Sequence, residues 1–83
     1  MKIQLRFFAS LREALGAQHE LELAEGSTVA ELRERLLERG GRYTELLAPT
    51  RAVRCAVNQV MAGESTVIVE GAEVAFFPPV TGG

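Results

Sequence analysis

Lys2-Ile3-Gln4-Leu5-Arg6-Phe7-Phe8 opens the chain with the alternation of apolar and polar residues that is typical of a half-buried β-strand. Successive side chains of a strand point to opposite faces, so Ile3, Leu5 and Phe7 share one face. Phe8 falls on the other face, among the polar residues. The stretch therefore predicts a strand that contributes one face to a core and carries a large aromatic side chain on its other face.

Helical and alternating segments follow along the rest of the chain. Ser10–Glu13 and Thr28–Glu31 have the capping-box pattern, which predicts the first turns of a short helix and of the main helix. Gly40-Gly41 is placed to end the main helix. We further predict strands at 20–23, 53–57 and 73–77, a helical turn at 43–47 and a tight turn at Asn58-Gln59. Residues 60–69 fit either a strand or a short extended or 3₁₀ connection.

This order of elements predicts an α+β fold, in which one main helix covers one face of a mixed sheet. The 83 residues suffice for one domain, which we place at 1–77, with an extended tail at 78–83. The longest apolar runs are only a few residues, too short to span a membrane. No apolar segment typical of a signal peptide follows Met1, so we expect a cytoplasmic protein.

The body of the chain is poor in catalytic groups. Cys55 is the only cysteine and His19 the only histidine, which argues against a zinc site or a histidine-based triad. We expect His19 to lie in a solvated loop. Cys55 is in phase with Val53 and Val57, which predicts a buried thiol that packs as a small hydrophobic side chain; a redox role is the alternative. The net charge is −2 with mixed signs, which does not fit a nucleic-acid-binding protein.

The C-terminal residues carry the strongest functional signal. Pro78 cannot donate a backbone hydrogen bond, so the last strand is expected to end at Phe77. Pro78-Pro79 favours an extended polyproline conformation. The tail then continues through two β-branched residues to two glycines without side chains, a combination that can enter a narrow active site of another protein. These tail residues are Pro78, Pro79, Val80, Thr81, Gly82 and Gly83.

The phases of the first and last strands indicate a partner surface near the tail. Phe8 and Phe77 both lie out of phase with the core positions of their strands. Met61, just beyond the Asn58-Gln59 turn, is a third candidate because methionine is an adaptable contact residue. Exposed aromatic side chains in a cluster are typical of protein–protein interfaces. We therefore predict that Phe8, Met61 and Phe77 bind a partner.

Three segments resemble the small, sulfur-carrying subunit of molybdopterin synthase, of the MoaD type. They are Leu5–Glu13, Ala56-Val57-Asn58-Gln59 and, most specifically, Glu73–Gly83. At Gly63–Val69 the chain departs from this family, whose members often have a proline-containing turn there. The resemblance implies a ubiquitin-like β-grasp fold.

The resemblance also implies a mechanism centred on Gly83. An adenylyltransferase similar to ubiquitin E1 enzymes would use ATP and Mg²⁺ to adenylate the Gly83 carboxylate. A persulfide sulfur donor would then displace AMP and leave a thiocarboxylate. The charged carrier would dock on the large synthase subunit, in a complex of two small and two large subunits, and give its sulfur to the cyclic pyranopterin precursor of molybdopterin. The chain itself would bind no cofactor and supply no acid–base catalyst.

Two other functions use similar activation chemistry. A sulfur carrier for thiamine thiazole or cysteine synthesis would also end in Gly-Gly, although such carriers usually differ just before the glycines. A ubiquitin-like modifier would join Gly83 to target lysines through an isopeptide bond. A third alternative is an interaction module with an inert tail, whose activity would survive removal of Gly83.

Overall fold

The first and the last strand of the chain lie side by side within a five-stranded sheet. The computed structural model describes residues 1–79. The sheet order is β2-β1-β5-β3-β4; β1 and β5 are parallel and the other neighbours are antiparallel. The mixed sheet of the predicted α+β fold is thereby confirmed. The strands are β1 Lys2–Phe7, β2 Gln18–Glu22, β3 Arg54–Val57, β4 Val60–Ala62 and β5 Glu73–Phe77.

Three helices accompany the sheet: α1 Ala9–Leu15, α2 Val29–Leu37 and α3 Arg42–Leu47. The main helix, α2, buries Val29, Leu32 and Leu36 at the spacing of one helical face. The α3 helix corresponds to the predicted turn before Pro49. Within residues 1–79, every helix is too short to traverse a lipid bilayer.

The core lies between α2 and the inner face of the sheet. Alternate side chains of β1 and β5 point into it, and Phe7 stacks on Phe76 with ring centroids 6.2 Å apart. The side chains that are almost completely inaccessible to solvent are Ile3, Leu5, Phe7, Leu32, Leu36, Leu47, Ile68, Val74 and Phe76.

The two predicted capping boxes have different outcomes. Thr28 caps α2 as predicted: its Oγ1 accepts from the Glu31 N–H at 3.2 Å, and Glu31 Oε1 accepts from the Thr28 N–H at 3.0 Å. The prediction for Ser10 is wrong, because α1 already begins at Ala9 and its N-cap is Phe8. The Phe8 N–H donates to the Phe76 carbonyl at 3.1 Å, so sheet pairing holds Phe8 in the extended conformation that starts the helix one residue later.

Residues 58–70 form a hairpin and an extended connection. Asn58 and Gln59 have φ of 50° and 67°, the left-handed values of a tight hairpin turn, and this confirms the predicted turn. After β4 the chain turns at Gly63–Thr66, where the Thr66 N–H donates to the Gly63 carbonyl at 3.1 Å, and then continues without a further strand. Val67 forms an isolated bridge with Thr28. The Ile68 N–H donates to the Ser27 carbonyl at 2.8 Å, which fixes the connection beside α2.

A buried arginine, Arg33 of α2, holds the loop that follows α3. Its Nε donates to the Leu47 carbonyl at 2.6 Å, and one terminal nitrogen donates to the carbonyls of Ala48 and Arg51 at 2.7 and 3.1 Å. The other terminal nitrogen pairs with Glu64 at 3.2 Å. Three loop carbonyls and one carboxylate thus compensate for removing the guanidinium from water.

Thr28→Ala should lower the free energy of unfolding by about 1 kcal/mol, because the mutant loses a capping hydrogen bond at the start of the main helix. Ser10→Ala is the matched control: it removes the same hydroxyl from the first turn of α1, where the structure assigns it no capping bond. We expect a change of about 0.5 kcal/mol or less for this variant. Urea unfolding measures both, and an equal loss in the two variants would contradict the assignment of the caps.

Candidate functional site

Phe8 and Phe77 come together because β1 and β5 are parallel and in register. Phe7 pairs with Phe76, so the next residue of each strand end lies beside its counterpart on the outer face of the sheet. Phe8 keeps 39% of its surface exposed and Phe77 is half-buried. The structure thus brings two of the three predicted partner-binding residues together.

Met61 lies on the same outer face, two strands from Phe77. It pairs with Ala56 of β3, and Ala56 pairs with Ala75 of β5. Met61 is 57% exposed, whereas the alanines are almost covered by the longer side chains around them. The alanines make a low floor between methionine and the phenylalanines. We call this surface the apolar patch; it consists of Phe8, Ala56, Met61, Ala75 and Phe77.

An arginine borders the apolar patch on β1. Arg6 pairs across the strands with Ala75, and its guanidinium lies 5.2 Å from the centre of the Phe8 ring, in cation–π geometry. It also forms an ion pair with Glu73 at 3.5 Å. The sequence analysis missed Arg6, Ala56 and Ala75. Their alternation was visible, but only the order of the strands brings them beside Phe77.

The root of the tail leaves the domain at the edge of the apolar patch. β5 ends at Phe77, as the following proline predicted, and Pro78 and Pro79 are half-buried without regular structure. Pro78 lines a groove of about 290 Å³ with residues of α1 and of the loop before β3. The predicted tail residues Val80, Thr81, Gly82 and Gly83 lie outside the described residues.

His19 does not lie in a solvated loop, so that prediction is wrong. It belongs to β2 and is half-buried, because β2 begins two residues earlier than its alternation of leucines suggested. Its Nε2 donates to the Leu15 carbonyl at 2.7 Å, and its ring meets the edge of Phe7 at 5.7 Å between centroids. Both contacts are structural: the first holds the end of α1 against β2, and the second packs β2 against Phe7 of β1.

Cys55 is buried, as its phase in β3 predicted. Burial raises the pKa of the Cys55 thiol to about 12; nearby Glu64 also raises it, while Arg33 acts in the opposite direction. The thiolate is the reactive form of cysteine, so Cys55 is a poor nucleophile and metal ligand at neutral pH. Across residues 1–79, histidine, cysteine and acidic side chains nowhere cluster as three or more potential metal ligands.

The profile of the ThiS family matches residues 5–83, nearly the whole chain. This chain belongs to the ThiS family. The molybdopterin synthase sulfur carrier subunit of Escherichia coli (strain K12) is 37% identical to it over 81 residues, which cover 98% of this chain and 99% of that relative.

Solved structures are similar to this chain over nearly its whole length. A candidate subunit 1 of molybdopterin converting factor from Pyrococcus furiosus has a TM-score of 0.81 at 29% identity, and covers 96% of this chain and 99% of its own. A chain in the complex of subunits 1 and 2 of that factor from Helicobacter pylori has a TM-score of 0.69 at 23% identity, with both chains fully covered. A ubiquitin from Caldiarchaeum subterraneum has a TM-score of 0.64 at 19% identity, covering 100% of this chain and 98% of its own. The last two similarities concern the fold, and the predicted ubiquitin-like β-grasp fold is confirmed.

Cys55 of this ThiS-family chain should resist thiol reagents in the folded state. With a pKa of about 12, only about one thiol in ten thousand is ionised near pH 8, against a sizeable fraction in the unfolded chain. Because the pKa of Cys55 is raised in the folded state, the labelling rate of the folded protein should still rise between about pH 9 and 10. The labelling rate of the unfolded chain should level off in the same range. Labelling by a chromogenic disulfide, with and without guanidinium chloride, measures this. Similar rates in both states would contradict the burial of Cys55.

Proposed function

We propose that this chain is the sulfur-carrier subunit of a molybdopterin synthase and that the Gly83 carboxylate carries the sulfur. The observation that carries the proposal is the position of the tail root: β5 ends at Phe77, inside the apolar patch, so a partner on that patch lies where the tail begins. The similarity to a sulfur carrier subunit of E. coli over nearly the full length of both chains supports the same function.

Activation is needed because a carboxylate is a poor electrophile. A Gly83 oxygen attacks the α-phosphorus of ATP and pyrophosphate leaves, which gives an acyl-adenylate. The terminal sulfur of a donor persulfide then adds to the carbonyl carbon, and AMP leaves. A thiol cleaves the resulting sulfur–sulfur bond, so that a disulfide forms on the donor side and a thiocarboxylate remains on Gly83. The activating enzyme supplies ATP and Mg²⁺; the carrier acts as a covalently loaded group carrier.

The large synthase subunit is the proposed partner of the apolar patch. Exposed apolar side chains around a small-residue floor offer the area and the shallow shape that an interface core uses. Once the patch is covered, the tail continues into the active site of the partner. Each sulfur transferred to the pyranopterin precursor returns Gly83 to a carboxylate, so two deliveries complete the dithiolene. The complex of the two H. pylori subunits has the composition that this arrangement requires.

The body of the domain suits a carrier better than an enzyme. His19 is engaged in structural contacts and Cys55 is buried, so neither is presented for catalysis. We therefore assign the acid–base chemistry to the partners.

Intact-mass spectrometry should detect the exchange of one oxygen for sulfur after incubation with the cognate activating enzyme, ATP, Mg²⁺, a persulfide donor and a reducing thiol. We expect the exchange at Gly83, because its terminal carboxylate is the group that the activating enzyme adenylates in the proposed chemistry. A variant that lacks Gly83 is the control and should keep its mass.

Three results of this experiment would count against the proposal. An unchanged wild-type mass with an enzyme shown to be active rejects a sulfur carrier. An isopeptide-linked product favours a modifier. A thiocarboxylate that yields no dithiolene with the large subunit and precursor favours the thiamine thiazole or cysteine pathway.

Phe77→Ala should weaken binding to the large synthase subunit by about tenfold or more, since aromatic hot-spot residues of an interface cost about 2 kcal/mol or more when truncated. Val67→Ala is the control, because Val67 is exposed but lies in the connection between β4 and β5, outside the apolar patch. Calorimetric titration measures both affinities, and thermal unfolding verifies that both variants are folded. Unchanged affinity of Phe77→Ala would remove Phe77 from the interface.

A further inference from the structure

Two arginines border the apolar patch from opposite sides of β5. Arg6 lies on β1 and pairs with Ala75, whereas Arg54 lies on β3 and pairs with Phe77. Their strands are two spacings apart, about 10 Å across the sheet. Both side chains belong to the outer face, because the cross-strand partner of each belongs to it. The two arginines thus lie on either side of β5, near the end of this strand that leads into the tail.

The guanidinium of Arg6 is held in place beside the apolar patch before any partner binds. Stacking on Phe8 and the ion pair with Glu73 restrict its guanidinium, so little conformational entropy remains to be lost on binding. The ion pair uses only a part of its donor capacity, since a guanidinium has five N–H groups. Its Nε is buried and has no acceptor among residues 1–79, so it is not available to a partner. The Arg6 side chain as a whole is 37% exposed, and its terminal nitrogens retain donors for a second carboxylate.

Arg54 is exposed, and within the described part of the chain no carboxylate lies within ion-pair distance of it. The carboxylate of Glu64, which lines the same cleft as Arg54 and Met61, is instead paired with Arg33 at 3.2 Å. The positive charge of Arg54 is thus not neutralised from within the domain.

The local charge differs from that of the whole molecule. The chain has a net charge of −2, yet two positive side chains border the apolar patch: Arg54 lies across from Phe77, and Arg6 lies across from Ala75, two residues before Phe77. Two acidic residues of the outer face are already paired: Glu73 of β5 with Arg6 at 3.5 Å, and Glu20 of β2 with Lys2 at 3.7 Å, while Glu20 also accepts from Gln4 at 3.1 Å. A complementary surface therefore has an apolar centre and carboxylates opposite the two arginines.

We propose that Arg6 and Arg54 form ion pairs with two acidic side chains of the large synthase subunit and determine which large subunit this carrier accepts. This inference rests on the proposed function and adds to it that charged residues around the apolar patch select the partner. Charges at the rim of an interface act mainly on association rate and on discrimination between partners, so the arginines select the partner and the apolar patch supplies most of the affinity.

The test compares single charge reversals of the full chain in binding to the purified large subunit from the same organism. Arg6→Glu and Arg54→Glu should each weaken binding by about tenfold or more at low salt, mainly through slower association. The difference should shrink at high salt, because screening weakens the ion pairs of the wild type. Arg35→Glu is the matched control: it changes the net charge equally, and Arg35 is an exposed residue of α2, on the other side of the sheet.

Further variants separate charge from packing. Arg6→Glu puts a second acid beside Glu73, so Arg6→Met, which keeps an apolar stem against Phe8, tests the same charge without that repulsion. Arg54→Glu disrupts no ion pair within residues 1–79 and keeps the test valid if Arg6→Glu unfolds.

Each outcome has a separate meaning. Weaker, salt-dependent binding of the Arg6 and Arg54 variants with normal binding of Arg35→Glu supports the proposal. If the Arg6 and Arg54 variants both bind within twofold of wild type, the proposed ion pairs are rejected and the carrier function stands. Equal weakening by Arg35→Glu also rejects the proposed ion pairs, because net charge alone then explains the effect. Absence of wild-type binding overturns the proposed function itself.

Discussion

The parallel pairing of β1 with β5 is the constraint on which the rest of the structure depends. It joins the first and the last strand of the chain, aligning Phe7 with Phe76 at the centre of the core. The same register places Phe8 beside Phe77 on the opposite face. One set of backbone hydrogen bonds therefore closes the core and places the two phenylalanines of the apolar patch side by side, so a shift in register would damage both.

Phenylalanines that are neighbours in the sequence lie on opposite faces of the sheet. Phe7 and Phe76 are buried, whereas Phe8 and Phe77 lie on the outer face. The side-chain period of a strand is two, so slippage by one residue would expose the core pair and bury the outer pair. Large core residues such as Phe7 and Phe76 resist that exchange. The folding energy of the core thus fixes the orientation of the outer residues.

The sequence predicted those features of the fold and site that depend on local patterns. Alternation placed Phe8 and Phe77 on the outer face, and Thr28 and Asn58 revealed their cap and turn through short-range chemistry. The predicted cap at Ser10 was wrong because the pairing of Phe8 with β5, a contact between residues distant in the sequence, decides where α1 begins. The arrangement of arginines around Phe77 also required the strand order, since Arg6 and Arg54 are neighbours of β5 only in the folded sheet. The role of Arg33 likewise depends on where the loop after α3 comes to lie.

The inertness of the domain has a chemical consequence for the proposed carrier. An acyl-adenylate is an electrophile, and a reactive thiolate on the same protein would compete with the persulfide for its carbonyl carbon. The thiolate of Cys55 is suppressed because the side chain lies in the hydrophobic core, where burial raises the pKa of the thiol to about 12. His19, the only histidine, donates through Nε2 to a backbone carbonyl. With the thiol buried and the imidazole engaged, neither side chain competes with the sulfur donor for the activated terminus of the proposed carrier.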